Sequence, residues 1–229
     1  MLRISRLYKI LELFPALKKF FLSNRYLVLN KWIYSSNLRL LDVGCGNHSA
    51  TSVKKNFPWV KYYGIDRENY NNYNGDFALM EKYYQKDLDN DDLNDLPKDF
   101  FDIIICAHVI EHLYNGEALI EKLKPLLKKN GILYLEFPSE RSKKFPSMSG
   151  TLNFYDDPTH VKAYSLRKLS SFIEKLGFHT IKKGTHRNPI KILLLPLNIL
   201  ISLYLYGKII GDSFYDLYGF AEYGIWKKN

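Results

Sequence analysis

The chain has 229 residues, 46% of them hydrophobic, and a formal net charge of +9 at pH 7. This length and hydrophobic content suit one sizeable core with additions, and the lack of internal repeats excludes a repeat architecture. The basic residues are not interleaved with exposed aromatics in a pattern typical of RNA or DNA binding, which argues against a nucleic-acid partner.

The positive charge is concentrated at the N-terminus. Residues 1–39 carry eight Lys or Arg against one acid, Glu12, so this segment holds +7 of the +9. Its apolar residues follow helical spacing. They are Ile4, Leu7, Tyr8, Leu11 and Phe14. We therefore expect a basic helical cap over residues 1–37, ahead of a main domain over 38–229. The cap either packs on a ligand pocket or touches anionic lipid or a phosphorylated substrate. Without an evident signal peptide, we expect a cytoplasmic protein.

Residues 40–47 (LLDVGCGN) are the most informative stretch of the chain. They predict a buried strand that ends in an acidic residue, Asp42, and runs through a glycine-rich turn into a helix. Gly44 and Gly46 allow a tight turn and a close approach of the backbone to a nucleotide-like ligand.

Three further segments follow in the order that a parallel sheet requires. Residues 62–66 (YYGID) predict a second strand ending in Asp66, and residues 85–88 (QKDL) place Asp87 beyond a third. Residues 101–107 (FDIIICA) form a continuous apolar run, as in a strand buried on both faces. All these strands end at one edge of the sheet, where open α/β sheets bind their ligands.

These motifs together resemble the class I S-adenosylmethionine-dependent methyltransferases, over about residues 38–178 with 221–227 as a last strand. The resemblance implies a doubly wound α/β fold: a mostly parallel seven-stranded sheet with an antiparallel last pair. It also implies S-adenosylmethionine as the cofactor. It assigns cofactor contacts to Asp42, Gly44, Cys45, Gly46, Asp66, Arg67, Asp87, Leu88, Ala107 and His108. A dehydrogenase is disfavoured, because Ser49 stands where the third glycine of G-x-G-x-x-G belongs.

The candidate catalytic residues come from two later segments. Residues 156–165 (DDPTHVKAYS) predict a turn between a fifth strand over 131–137 and a helix over 166–176. His160 on this loop is the candidate general base, with Asp157 orienting it and His112 as a further candidate. The alternative is that His160 only fixes the loop by hydrogen bonding to an aspartate.

A metal site is a second interpretation of the same histidines. His108, Glu111 and His112 stand at i, i+3 and i+4 at the start of an expected helix, so they can share one face. With His160 they are similar to the metal-dependent small-RNA 2′-O-methyltransferases, although His108 replaces the first Glu of that pattern. The alternative is that Glu111 and His112 merely order the start of the helix. We expect no metal, and keep Glu111, His112 and His160 as its candidate ligands.

Residues 192–206 are uncharged over 15 positions and lie in an insertion, 189–220, between the predicted sixth and seventh strands. The run is short for a membrane span and contains Pro196. It predicts a lid, a dimer-forming helix or a monotopic anchor. An anchor would make the protein peripheral on the inner face of the membrane.

Two features concern the acceptor and the thiols. The DDPTHVKAYS turn resembles methyltransferases of polysaccharide and glycolipid assembly, which implies O-methylation of a sugar, a sugar phosphate or a lipid-linked glycan. A quinone-like phenol, a small amine or a non-catalytic cofactor-binding module are the alternatives. Cys45 and Cys106 are expected on neighbouring strands as reduced thiols.

Overall fold

The computed structural model describes residues 23–35 and 37–229. The strands are β1 (Arg39–Val43), β2 (Lys61–Asp66), β3 (Lys82–Gln85), β4 (Phe101–Ala107), β5 (Leu127–Pro138), β6 (Phe178–Thr185) and β7 (Ala221–Lys228). The helices are α1 (Asn24–Leu29), α2 (Ser49–Asn56), α3 (Asn74–Phe77), α4 (Gly116–Leu123), α5 (Leu166–Lys175), α6 (Pro189–Leu193), α7 (Leu195–Tyr206) and α8 (Tyr215–Tyr218). Short 3-10 turns span Ile110–His112, Lys124–Leu126, Glu140–Lys144, Phe154–Asp156 and Gly211–Phe214.

The seven strands form one sheet in the order β3-β2-β1-β4-β5-β7-β6. All neighbouring pairs are parallel except those of β7, which runs antiparallel to both β5 and β6. The predicted fold class is thus confirmed, including its antiparallel last pair.

Cys106 on β4 pairs with Val43, two residues before Cys45, and both cysteines are buried free thiols.

The sheet is covered on both faces. Along β4, Ile104 packs into one hydrophobic cluster, while Ile103 and Ile105 pack into the cluster on the other side. Alternate side chains of a strand point to opposite faces, so a strand in this position must be apolar throughout. This explains the continuous FDIIICA run and confirms the sequence prediction for β4.

The prediction that a helix begins at His108 is wrong. His108 has a left-handed backbone, with φ +56°, and only Ile110–His112 form a single 3-10 turn. The next α-helix starts at Gly116, where the side chain of Asn115 accepts a hydrogen bond from the Ala118 N–H. Asparagine is a favoured helix N-cap, so the helix begins after Asn115. The spacing of the histidines and Glu111 placed its start too early in the sequence.

The segment between β6 and β7 is helical, with α6, α7 and α8 joined by short connections. Pro196 lies in the first turn of α7, where proline removes no internal hydrogen bond, and it therefore starts this helix rather than breaking it. Among the described helices, none has both the length and the apolar character needed to cross a bilayer. Of the expected N-terminal cap, residues 1–22 lie outside the described part of the chain, and residues 23–35 contribute α1.

Candidate functional site

The glycine-rich turn after β1 is held against the end of β2. The Gly44 N–H donates to the Ile65 carbonyl at 2.8 Å, and Gly44 has φ +74°, a conformation that favours glycine. A Cβ on Gly44 would lie 2.4 Å from Cγ2 of Val109, and one on Gly46 would lie 2.9 Å from the Tyr70 carbonyl oxygen. Side chains are thus excluded from both positions by the protein itself.

Asp42 stabilises this turn through hydrogen bonds. Its carboxylate is buried, and Oδ2 accepts hydrogen bonds from Ser49 Oγ at 2.5 Å and from Tyr62 Oη at 2.7 Å. Burial raises the pKa of Asp42, and the charge of Arg25 with these two hydrogen bonds counteracts the rise. The residue predicted to touch a ligand therefore ties β1, β2 and the start of α2 together.

Asp66 is the acid at the end of β2 that faces the turn. Its Oδ2 accepts a hydrogen bond from the Gly46 N–H at 3.0 Å, and its Oδ1 accepts one from the Arg67 N–H at 2.8 Å. Burial raises the pKa of Asp66, although these backbone hydrogen bonds lower it in part. The Arg67 side chain is exposed and lies 3.6 Å from Glu68. A half-buried carboxylate beside a glycine turn is suited to accepting hydrogen bonds from ligand hydroxyls.

The third predicted acid, Asp87, lies two residues beyond β3. It accepts hydrogen bonds from the Asn90 side chain and the Asp89 N–H, which lower its pKa. Leu88 is buried in the core beside it. Asp87 thus organises its own turn.

A cavity of about 360 Å³ opens at the same edge, where β4 and β5 end and the insertion crosses. Its lining consists of Ser23, Asn24, Arg25, His108, Glu136, His186, Lys191, Asn198, Asp212, Ser213, Tyr215, Asp216 and Ala221. Most of these side chains can donate or accept hydrogen bonds. A larger surface cavity of about 540 Å³, between Lys54, Pro58 and residues 78–81, contains none of the predicted site residues.

Glu136 is the centre of a buried ionic network in the cavity wall. Its Oε1 lies 3.1 Å from His108 Nε2, and its Oε2 lies 3.2 Å from His186 Nε2 and 3.5 Å from Arg25 Nε. Tyr134 Oη donates to Oε2 at 2.5 Å. Burial alone would raise the pKa of Glu136, but the charge of Arg25 and the hydrogen bonds from both histidines hold it well below its usual value. Glu136 is therefore ionised at neutral pH.

His108 is the cationic partner of Glu136. Burial opposes its charge, but hydrogen bonds to Glu111 and Glu136 raise its pKa from 6.5 to about 9. His108 Nδ1 lies 3.1 Å from Glu111 Oε1 on one side, and Nε2 contacts Glu136 on the other. Its positive φ marks a backbone conformation that is costly for residues other than glycine, and such strain tends to occur at functional sites.

The sequence predicts His108 as a cofactor contact but singles out neither Arg25 nor His186, and all three line this cavity. Arg25 comes from α1, and His186 directly follows β6, more than 150 residues later along the chain. The available signal was topological: β6 runs in the same direction as β5, so the residue after it reaches the same sheet edge.

The predicted catalytic residues His160, Asp157 and His112 form a separate cluster. The His160 Nδ1 lies 2.6 Å from the Phe154 carbonyl oxygen, and its Nε2 lies 3.9 Å from Asp157 Oδ2. His112 Nδ1 lies 2.9 Å from Thr159 Oγ1. The three do not line the 360 Å³ cavity. The metal candidates do converge: one ligand atom each from Glu111, His112 and His160 lie within 4.8 Å of one another.

Comparisons with known proteins agree with the fold. A family model described as a methyltransferase domain matches residues 9–183. No curated protein shows a significant match to the chain.

Several solved structures share the architecture. A SAM-dependent methyltransferase from Archaeoglobus fulgidus has a TM-score of 0.56 at 21% identity, with 93% of this chain and 98% of that chain covered. One from Mesorhizobium loti has a TM-score of 0.59 at 12% identity, covering 89% and 97%. A phosphoethanolamine N-methyltransferase from Haemonchus contortus, in complex with phosphomonomethylethanolamine and S-adenosylhomocysteine, has a TM-score of 0.59 at 15% identity, covering 89% and 52%. At these identities the likeness concerns the fold.

Proposed function

This chain belongs to the S-adenosylmethionine-dependent methyltransferases, and we propose that it methylates a hydroxyl group of a sugar, sugar phosphate or lipid-linked glycan. The observation that carries the choice of a hydroxyl acceptor is the pairing of His186 with ionised Glu136 in the wall of the 360 Å³ cavity.

The cofactor half of the site fits the group that the family uses. Gly44 and Gly46 form a turn that admits no side chain, because a Cβ on either glycine would clash with Val109 or Tyr70, and Asp66 stands beside this turn as a half-buried acceptor. We assign the ribose hydroxyls to Asp66 with Arg67 next to it, the adenine to Leu88 and Asp87, and the methionine part to the turn over residues 44–46. Asp42 positions that turn. We assign Ala107 and His108 to the part of the cofactor pocket that lies beneath the sulfonium. When bound, S-adenosylmethionine supplies an electrophilic methyl group on its sulfur.

The direction of the hydrogen bonds supports our choice of the base. Because Glu136 is ionised, it only accepts, so the proton between it and His186 belongs to His186 Nε2. In a neutral imidazole with Nε2–H, the Nδ1 atom carries the lone pair. His186 Nδ1 is therefore the group that takes the proton of the acceptor hydroxyl as the new carbon–oxygen bond forms, and Glu136 orients the ring.

His160 is not assigned this role. Its Nδ1 faces the Phe154 carbonyl, and neither it nor Asp157 lines the cavity. A base must come within hydrogen-bond reach of the proton that it removes, so we place it among the histidines that line the proposed acceptor cavity.

The remaining cavity walls suit a polyhydroxyl acceptor. Asn24, Asp216 and Asn198 offer amide and carboxylate groups, and the Tyr215 ring lies beside them, stacked on Phe220 with ring centroids 4.2 Å apart. Sugars are bound by such combinations of directional hydrogen bonds and an aromatic face. Lys191 and Arg25 add positive charge for a phosphate group.

A lipid-linked acceptor is favoured by the outer surface of α7. Asn198 on this helix faces the cavity, whereas Leu197 and Leu200 are 52% and 64% exposed, and Leu193 before it is 78% exposed. Residues 189–211 contain no acid, and Lys208 follows the helix. An exposed apolar helix beside basic residues is typical of proteins that lie on anionic membranes. We propose that α7 rests on the membrane surface beside the cavity entrance.

A small amine is the alternative acceptor. The Haemonchus contortus enzyme is an N-methyltransferase, and Glu136, Asp212 and Asp216 place three carboxylates in the cavity of this chain that could hold an ammonium group. Once the ammonium has lost a proton, the neutral amine needs His186 less, because its nitrogen is a stronger nucleophile than a hydroxyl oxygen and can attack the methyl group before it loses a further proton.

The experiment is a transfer assay with labelled S-adenosylmethionine against nucleotide sugars, sugar phosphates, lipid-linked sugars, phenols and phosphoethanolamine. Label on a sugar hydroxyl, with product loss in His186→Gln, supports the proposal. Label confined to an amine or a phenol contradicts it, and the cofactor assignment stands or falls separately by titration with S-adenosylhomocysteine.

A further inference from the structure

The cluster of Glu111, His112 and His160 lies outside the proposed acceptor cavity and has no role in the steps described above. Its side chains come from the 3-10 turn Ile110–His112 and from the loop over residues 157–162. Two backbone hydrogen bonds fasten this loop to the turn: the N–H groups of Val161 and Lys162 donate to the Glu111 carbonyl at 2.8 and 3.1 Å. The convergence of the three side chains is therefore fixed by the backbone.

Glu111 presents an oxygen that needs a partner. The residue is 1% exposed, and Oε1 is engaged by His108 Nδ1. Oε2 is buried and, within the described part of the chain, makes no hydrogen bond. Leaving a carboxylate oxygen buried without a donor or a cation costs about 1–3 kcal/mol or more. Such an atom indicates a ligand.

Both histidines present the nitrogen that binds metals. The Phe154 carbonyl can only accept, so the 2.6 Å contact with His160 requires a hydrogen on Nδ1. Thr159 Oγ1 donates its only hydrogen to Asp157 Oδ1 at 2.5 Å, so the contact at 2.9 Å with His112 also requires a hydrogen on Nδ1. In the neutral rings the lone pair is then on Nε2. Metal-bound histidines typically donate their other N–H to a carbonyl or another oxygen in this way.

From these contacts we propose that Glu111, His112 and His160 bind one divalent transition-metal ion of the zinc type. Two imidazole nitrogens and one carboxylate oxygen, within 4.8 Å of one another, match a zinc site that keeps an open position for water. Magnesium and calcium prefer sites made of oxygen ligands only. The ion supplies the partner that Glu111 Oε2 lacks and joins the 157–162 loop to the turn after β4.

The test is a titration of untagged, chelator-treated full-length protein with ZnCl₂ in a calorimeter, followed by Co²⁺ absorption spectroscopy. We expect one ion per chain, a raised melting temperature and a tetrahedral Co²⁺ spectrum. Glu111→Gln and His112→Ala should each weaken binding by about 100-fold or more. His179→Ala, an exposed histidine on β6, is the matched control and should bind as the wild type does.

A measurement on the wild type removes the dependence on variants that fail to fold. Imidazole ¹⁵N correlation spectra should show the Nε2 signals of His112 and His160 shifting with one equivalent of zinc, while those of His179 stay in place. The proposal is overturned if zinc does not bind stoichiometrically, if Glu111→Gln binds as tightly as the wild type, or if other histidines shift instead. Neither assay involves an acceptor or methyl transfer, so its outcome is independent of the proposed reaction.

Discussion

His186 Nε2 lies 3.2 Å from Glu136 Oε2, a contact between residues 50 positions apart that joins the end of β6 to the end of β5. The His186 ring also stacks on Tyr223 of β7, with centroids 4.4 Å apart and planes 17° from parallel. The ring is thus held on one face and at one nitrogen, which leaves its orientation little freedom. A base that is positioned before the acceptor arrives loses little entropy during the reaction.

The first prediction follows from this contact. In His186→Gln, the amide can still donate to Glu136 but cannot take up a proton, so kcat should fall by about 10²–10⁴-fold. The affinity for S-adenosylhomocysteine should stay within about threefold of the wild-type value, because His186 lies outside the proposed cofactor pocket. Steady-state kinetics and calorimetry measure the two effects. His179→Gln, exposed on β6, is the control; an equal loss of turnover and cofactor affinity in His186→Gln would argue for a structural role instead.

The second prediction concerns Asp66 and pH. Burial raises the folded-state pKa of Asp66, so on acidification it gains its proton earlier than an ordinary aspartate. A neutral carboxyl group is a poorer acceptor for ribose hydroxyls, and S-adenosylhomocysteine should bind more weakly as acidification protonates Asp66, which begins at a higher pH than for an ordinary aspartate because burial raises its pKa.

Asp66→Asn provides the matched variant. It should bind at least about tenfold more weakly at pH 7, as expected for loss of one charge-assisted hydrogen bond, and its affinity should vary less with pH. Asp99→Asn, on an exposed turn, should behave as the wild type. Calorimetric titrations at several pH values check both, and unchanged affinity in Asp66→Asn would remove Asp66 from the cofactor site.

The third prediction uses the crowded glycine. Gly44→Ala forces a Cβ into φ +74° and to 2.4 Å from Val109, so both strain and a steric clash oppose the native turn. We expect a loss of about 1–3 kcal/mol in unfolding free energy and weaker cofactor binding. Gly75→Ala is the control, because a Cβ there has no neighbour within 4 Å. Urea unfolding and cofactor titration of the two variants should therefore diverge.

The sequence predicted the sheet because its strands carry local signals. Residues 62–66 and 101–107 read as strands from composition alone, and the structure places strands at Lys61–Asp66 and Phe101–Ala107. The turn after β4 was predicted wrongly, because the spacing of His108, Glu111 and His112 also fits a helix. The deciding factor was local: His108 takes a left-handed backbone, and Asn115 starts the helix four residues beyond Glu111.

Two residues of the cavity were beyond the reach of local patterns. Arg25 and His186 come from separate elements, and only the folded sheet brings them to Glu136. The same holds for the hydrogen bonds of Asp42. Ser49 and Tyr62 donate to its Oδ2, an arrangement that depends on the register of β1 against β2.

The fourth prediction concerns the stability of the ionic network. Arg25→Met leaves Glu136 with less compensation for its buried charge and should lower the unfolding free energy by about 2 kcal/mol, a reduced figure because Arg25 remains 20% exposed. A second substitution, Glu136→Gln, should restore part of this loss, since no charge is then left unpaired. Thermal and urea unfolding of the single and double variants form the cycle. If the loss in unfolding free energy of the double variant equals the sum of the losses of the two single variants, Arg25 and Glu136 are not energetically coupled.

The pH dependence of stability provides an independent check on Glu136. Its folded-state pKa is held well below the unfolded value, so its contribution to stability is complete at neutral pH and is lost as the pH falls through the folded-state pKa, below about 4.3. Glu136→Gln lacks this group, and its unfolding free energy should fall less steeply under acid. Parallel slopes for wild type and variant would show that Glu136 is not ionised in the folded protein.

The last prediction concerns the exposed face of α7. Leu197 and Leu200 are three residues apart on the helix, so they share a face, and both are more than half exposed. Inserting a leucine side chain into the membrane interface contributes up to about 1.5–3 kcal/mol, so the double variant Leu197→Gln/Leu200→Gln should bind anionic vesicles at least tenfold more weakly. The substitutions replace exposed side chains, and thermal stability should stay close to that of the wild type.

Sedimentation with vesicles of phosphatidylcholine and phosphatidylglycerol measures this partition. Leu217→Gln, a similarly exposed leucine on α8 at 40%, is the control and should retain vesicle binding. Salt should weaken vesicle binding of every variant, because it screens the charge of the nearby lysines. At high salt the double variant should still bind more weakly than the wild type, and this remaining difference measures the apolar contribution of α7. If the wild type does not sediment with vesicles, the helix is a wall of the acceptor cavity without a membrane role, and the lipid-linked acceptors lose their support.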